Sequence, residues 1–322
     1  MFSKFSPPRL ILGQPIWCNL HSMERIVGSG TIDQLVADAA DRGHHISARL
    51  IRDWTELGLL DYPQKRPAGK GHGSRQAMYS ANQRNLFLTL LHHRPNNKIK
   101  SLARIPVGIW MYWGDAYVSL SQVRRAMNTW IGDPRASKQQ AQQTAREVLR
   151  QLDNPTATAV ARRMLLDTWS EMAYTGRADL DRLERAVRDV FEPDARRIRK
   201  AVGHPAAPML AEAMIELVKA RMTAVGRLQD RAVTDDEFRQ ARHSHLVTYA
   251  EYAMRQPMLA AHAPEANPDM YEPVTAETAL TSSCGHLLTT LGLIALYPEE
   301  AARATAPVAP RIVFRPHEQQ TV

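Results

Sequence analysis

Cysteine is almost missing from this chain: its 322 residues include two, Cys18 and Cys284, far apart and with no Cys/His spacing around either. No disulfide framework and no zinc site can be read from that, and a reducing cytoplasm is the expected setting. Long apolar runs are scarce as well. The longest, residues 287–296, falls far short of the roughly 20 residues a membrane span requires, so neither a transmembrane helix nor a membrane partner is expected. Residues 1–22 hold Pro7, Pro8 and Pro15 and no periodic pattern. They lack the unbroken apolar stretch of a secretory signal and read as a disordered tail, with Met23 opening a segment that looks like a domain start and a second candidate for the first codon.

Motifs for catalysis are lacking too. There is no GxGxxG, P-loop, HExxH or paired-carboxylate pattern, and Ser282-Ser283-Cys284-Gly285-His286 has neither a nucleophile elbow nor an assignable acidic partner, so it reads as a buried helix start. His44-His45 and His92-His93 are adjacent pairs, and His243 and His245 stand two apart, spacings that send side chains to different sides of a helix and chelate poorly. His243 and His245 are expected to be exposed, and the protein to be a non-enzyme with no metal and no cofactor.

The most informative absence is of acid. Between residues 62 and 114 there is no Asp or Glu, while Lys65, Arg66, Lys70, Arg75, Arg84, Arg94, Lys98, Lys100 and Arg104 all fall inside, in a chain whose net charge is +8. A run of one sign this long calls for an external counter-charge, of which nucleic-acid phosphate is the commonest. The plainer alternative is a solvated arginine-rich surface.

What surrounds that run is helical. Ile32, Leu35, Val36, Ala39 and Ala40 follow the i, i+3, i+4, i+7 spacing behind a capping Thr31. Gly43-His44-His45 breaks the pattern, and Ser47 can cap a second helix with an apolar stripe of Leu50, Ile51, Trp54 and Leu57, closed by Gly58. Arg49 and Arg52, three apart, share its outer face. Residues 61–74, with two prolines and three glycines, suit a β-hairpin whose return strand covers 76–79, and residues 82–92 carry Leu86, Phe87, Leu90 and Leu91 at helical spacing. The order helix, helix, basic hairpin, helix predicts a winged helix-turn-helix.

These residues resemble the DNA-binding domain of MerR-type regulators. Thr31-Ile32-Asp33-Gln34-Leu35, the segment Ser47-Ala48-Arg49-Leu50-Ile51-Arg52-Asp53-Trp54-Thr55-Glu56-Leu57-Gly58-Leu59-Leu60, and Met78-Tyr79-Ser80 fall at or near the offsets of that family's TIxxL start, its S-x-R-x-I-R-Y-Y-E-x-x-G-L-L recognition helix and its R-x-Y-S wing closure. The match spans residues 31–91. In this chain Asp53-Trp54 replaces the tyrosine pair, Ala77 stands where an arginine is usual, and the wing is longer and richer in glycine. The resemblance implies binding to double-stranded DNA, as a dimer on a two-fold site, with contacts from Ser47, Arg49, Arg52, Trp54, Lys65, Arg66, Lys70, Arg75 and Tyr79. Trp54 is divided between this role and the core, since its spacing with Leu50 and Leu57 is that of a buried stripe. Arg49 and Arg52 have their own alternative, local pairing with Asp53 and Glu56 at i,i+4.

The expected fold class is therefore mainly α: a winged helix-turn-helix domain over residues 23–94, an aromatic-rich connecting segment over 95–134, an all-α domain over 135–302 and a disordered tail over 303–322. Trp110, Tyr112, Trp113, Tyr117 and Trp130 suggest a hydrophobic platform joining the domains, and Ser119 with Gln122 makes a capping box for a helix through Trp130. Further helices are read at 162–174, 179–191, 208–225, 235–255 and 275–296. Met209, Met214, Met222, Met254, Met258 and Met270 read first as core filling, with an apolar effector pocket as the other use, so a small-molecule effector or a protein partner is assigned to the all-α domain. The leading function is transcriptional regulation at a specific DNA site. The alternatives are an architectural DNA-binding factor of a mobile element, serving recombination directionality or plasmid partition, and a protein-interaction module built on the winged fold.

Overall fold

The computed structural model describes residues 26–67, 74–132, 135–191, 211–261 and 275–305. The expected N-terminal tail, Lys70 at the hairpin tip, Met209 and Met270 lie outside them. The protein is mainly helical, and among the described residues extended strand is confined to one hairpin and one isolated bridge.

Helix α1 (Ile32–Ala40) starts at Thr31, whose side chain accepts from the Gln34 N–H while the Gln34 side chain reaches back, a full capping box. Helix α2 (Ala48–Glu56) begins after Ser47, which has extended backbone but makes no capping hydrogen bond through its side chain. Strands β1 (Gln64–Pro67) and β2 (Ser74–Met78) pair antiparallel, with Arg66 opposite Arg75 and an irregularity between Gln64 and Arg66. Tyr79 continues β2 into a bridge with Gly30, tying the hairpin to the segment ahead of α1. Helix α3 (Ala81–His93) follows, capped by the Ser80 side chain.

The next helices are α4 (Ile99–Leu102), α5 (Arg104–Trp113) and α6 (Leu120–Ile131). Ser119 caps α6, but the box is half formed. Gln122 is fully buried and its amide is drawn into contacts with Leu59 and Gln83 instead of returning to the cap. Then come α7 (Lys138–Leu152), α8 (Ala159–Thr175), α9 (Leu180–Phe191), α10 (Ala211–Gln229), α11 (Asp235–Ala261), α12 (Ala276–Leu296) and α13 (Pro298–Thr305). Residues 303–305 close α13, so the start of the expected C-terminal tail is helical. Helix α7 is absent from the helices read in the sequence because its buried positions are Ala141 and Ala145, too small to register as an apolar stripe.

Two cores hold these helices. The larger joins Leu35, Ile51, Trp54 and Phe87 from the N-terminal part to Val107, Trp110 and Met127 of α5 and α6, and on to Phe238, Leu287 and Leu291 of α11 and α12. Trp110 sits inside it, its indole N–H donating to Asp115 (2.7 Å) and its ring edge-on to Phe238. The aromatic segment is thus part of a continuous core. The smaller core contains Leu165, Leu183, Val187 and Val190 of α8 and α9 with Ala211 and Ile215, and α10 carries residues of both. Helix α12 is apolar enough over Ala279–Leu296 to cross a membrane by length and composition, yet half of that window is buried in the protein. A Cβ on its Gly292 would lie 1.9 Å from the Ala220 carbonyl oxygen, so α12 and α10 cross backbone to backbone.

Several expectations need correction here. Ser282 to His286 lie within α12, beyond its first turn, with Ser283 and Cys284 buried among core side chains. Met254 and Met258 are exposed on α11 and fill no core. His245 is largely enclosed: its Nε2 lies 3.2 Å from the Tyr112 hydroxyl and its ring stacks at 5.2 Å on His286.

Candidate nucleic-acid interface

The geometry around α2 is set by its C-terminus. Gly58 takes the left-handed conformation (φ +74°), which lets its N–H reach the Thr55 carbonyl and the Leu59 N–H reach the Trp54 carbonyl, a Schellman closure. The same turn lies against α6. A Cβ at Gly58 would fall 2.3 Å from the Ala126 nitrogen, a contact only glycine permits. Side chains of α6 add to this closure: Arg125 donates to the Thr55 and Leu60 oxygens (both 3.2 Å) and Thr129 to the Leu57 oxygen (2.7 Å). A buried amide relay completes the joint, with the Gln122 side chain donating to the Leu59 oxygen, Gln83 to Gln122, and the Asp61 N–H to Gln83.

The inner face of α2 is fixed by packing. Trp54 is 1% exposed and meets Phe87 edge-on at 5.8 Å. Tyr79 is 3% exposed, and its hydroxyl lies 3.1 Å from the Thr55 hydroxyl, which itself donates to the Ile51 carbonyl. Burial raises the Tyr79 phenol above its ordinary pKa, against the Thr55 hydrogen bond and the nearby Arg52 charge, which pull it down. Both aromatic rings are therefore structural. Trp54 thus takes the core placement that its spacing offered, and Tyr79, expected at the DNA, is buried beside it with its apolar body joining α2, α3 and the hairpin. On the far side, α1 and α3 are clamped by Arg84, which makes two 2.8 Å hydrogen bonds to Asp38 and one to the Gly28 carbonyl.

The outer face of α2 is open. Ser47, Arg49 and Arg52 are exposed. Arg49 has 87% of its side chain in solvent and stands a loose 3.9 Å from Asp53. Arg52 makes no ion pair among the described residues. Glu56, the partner that helical spacing offers it, instead accepts a hydrogen bond from the Tyr62 hydroxyl, a contact that raises the pKa of that phenol. Tyr62 in turn carries the Arg125 guanidinium 4.1 Å above its ring. On the hairpin, Lys65 is exposed, and Arg66 and Arg75 are backbone partners across the two strands.

The acid-free stretch is divided by the fold. Arg84 is paired with Asp38 and the Arg104 Nε is buried, while Lys100 donates to the Ile131 carbonyl (3.1 Å) and stays exposed. Lys65, Arg94 and Lys98 remain at the surface. Arg125 and Thr129 escaped the sequence reading, and Gln122 was read only as part of a cap, although their spacing, i, i+3, i+7, marks one face of α6. No protein-family model, curated protein or solved structure matches the chain.

Proposed function

We propose that the chain is a sequence-specific double-stranded DNA-binding protein, a transcriptional regulator of the MerR-like winged-helix kind. Helix α2 enters a major groove and the β1–β2 hairpin follows the flanking backbone. The observation that carries this reading is the division of α2 into a buried face held by α3, α6 and Tyr79, and an outer face from which Arg49 and Arg52 project three residues apart beside a basic hairpin. An arginine so placed can bond a guanine edge in two places, while the wing supplies phosphate contacts that position without reading sequence. A two-fold DNA site, and with it a dimer, is the arrangement the family resemblance favours.

Footprinting of the tagged full-length protein across a genome names the site, and titration on that site against unrelated DNA separates readout from grip. Arg49→Ala or Arg52→Ala should cost about 1–3 kcal/mol at the specific site and relax preference at one base pair. Lys65→Ala should weaken both DNAs alike and reduce the salt slope by about one. Full affinity of both arginine variants on both DNAs would overturn the assignment of α2, and absence of any DNA retention at about 50 mM salt would overturn the function.

A further inference from the structure

Each of the two arginines on the outer face of α2 has a carboxylate four residues further on, and the two pairs differ. Arg49 and Asp53 stand 3.9 Å apart as a loose ion pair on the helix surface. Arg52 and Glu56 have the same spacing and are both exposed, yet no ion pair joins them. The cause lies in what each carboxylate meets. Among the described residues Asp53 has no side-chain partner besides Arg49, whereas Glu56 accepts a 2.9 Å hydrogen bond from the Tyr62 hydroxyl.

Tyr62 is half exposed, but it is held in place from α6. Its backbone N–H donates to the Asp61 carboxylate (2.9 Å), which also accepts from Arg125 (3.3 Å), and the Arg125 guanidinium lies 4.1 Å above the Tyr62 ring. A cation over an aromatic face adds attraction to that contact. Arg125 is itself anchored on the Thr55 and Leu60 carbonyls at the end of α2. The competition for Glu56 is a close one, because an exposed i,i+4 ion pair shifts an equilibrium by only about twofold, and arginine ahead of the acid is the weaker orientation. A hydroxyl donating to a carboxylate makes one of the stronger hydrogen bonds. One well-placed phenol therefore suffices to hold the carboxylate.

We propose that Tyr62 is a positioning residue for the DNA contact: by holding Glu56 toward the segment that leads into β1, it leaves the Arg52 guanidinium unneutralised and open to a phosphate or a base edge of DNA. The proposal rests on the reading of α2 as the DNA-contacting helix. It adds that the charge this helix presents is set from outside it, by Tyr62 and the Arg125 that carries its ring.

The test uses the full chain and random-sequence duplex DNA, on which charge rather than base order decides affinity. Tyr62→Phe keeps the ring under Arg125 and removes the hydroxyl, so it should weaken binding about twofold at low salt. A loss of packing could do the same, so Glu56→Gln is made in both backgrounds. Its gain in affinity should be about twofold larger in Tyr62→Phe than in the wild type, and the excess should vanish when Arg52 is replaced by alanine. A second readout needs no DNA: solvent exchange of the Arg52 Nε–H, followed by nuclear magnetic resonance, should slow several-fold in Tyr62→Phe as the released carboxylate bonds it, and recover on adding Glu56→Gln. Equal gains in the two backgrounds, an excess that persists without Arg52, or unchanged Arg52 exchange would overturn the proposal. If the full chain retains no DNA at about 50 mM salt, the DNA-binding reading fails by itself and the exchange decides the role of Tyr62: slowing supports it, and no slowing overturns it.

Discussion

Replacing Gly58 by alanine tests the joint on which the orientation of α2 depends. Two costs add. The residue has φ +74°, and left-handed backbone disfavours a side chain by about 1–2 kcal/mol. The new Cβ would also stand 2.3 Å from the Ala126 nitrogen and 2.7 Å from the Arg125 carbonyl carbon. Both are backbone atoms of α6, so relief requires the two helix ends to part by roughly 1 Å to reach ordinary contact distance. Forcing an extra carbon into a packed joint costs about 1–3 kcal/mol, and the parting stretches the Arg125 and Thr129 hydrogen bonds to α2. The expected loss is about 2–5 kcal/mol. Gly43 provides the control, since it has φ +77° but nothing within 4 Å of its Cβ position. Gly43→Ala should therefore show the conformational cost alone, about 1–2 kcal/mol. Urea unfolding of both variants, followed by circular dichroism, gives the difference directly. Equal losses would refute the close approach of α2 to α6, and a loss below about 0.5 kcal/mol at Gly58 would refute the turn itself.

Acid should loosen the junction of α5, α11 and α12. Burial, and then the adjacent His286, lower the His245 pKa to about 4, so its imidazole is neutral in the folded protein, facing the Tyr112 hydroxyl and the Tyr249 ring. An unfolded imidazole takes its proton near 6.5. Between about 6.5 and 4 the unfolded state therefore binds more protons, and stability that is complete above 6.5 falls as pH drops through this window, by on the order of 1–3 kcal/mol. Melting curves across pH should show this slope, and His245→Phe should flatten it; an unchanged slope would refute the assignment. At the opposite end, Arg84 and Asp38 are 12% and 15% exposed, so Arg84→Ala leaves a partly buried carboxylate unpaired and should cost about 1–3 kcal/mol. Arg84→Lys should recover only part of that, since an ammonium cannot reproduce the two parallel bonds. A loss under about 1 kcal/mol would mark the pair as a surface contact.

Local order was legible from the residues alone. The cap at Thr31, the breaks at Gly43 and Gly58, the hairpin between residues 61 and 79, and the helices carrying Leu, Ile and Phe stripes all follow from short-range rules: side-chain caps, backbone freedom and the 3.6-residue period. The outward placement of Arg49 and Arg52 is legible for the same reason, because residues three apart on a helix share a face whatever that helix packs against. Tertiary structure decided the rest. Whether Trp54 and Tyr79 meet a ligand or the core depends on Phe87 and Thr55, which close over them from elsewhere in the chain. Arg84 looks like free charge in a row of letters and is paired with Asp38, which only the fold brings near, and the Arg104 Nε is buried. Helix α7 went unseen because alanine buries little area yet suffices where helices approach closely.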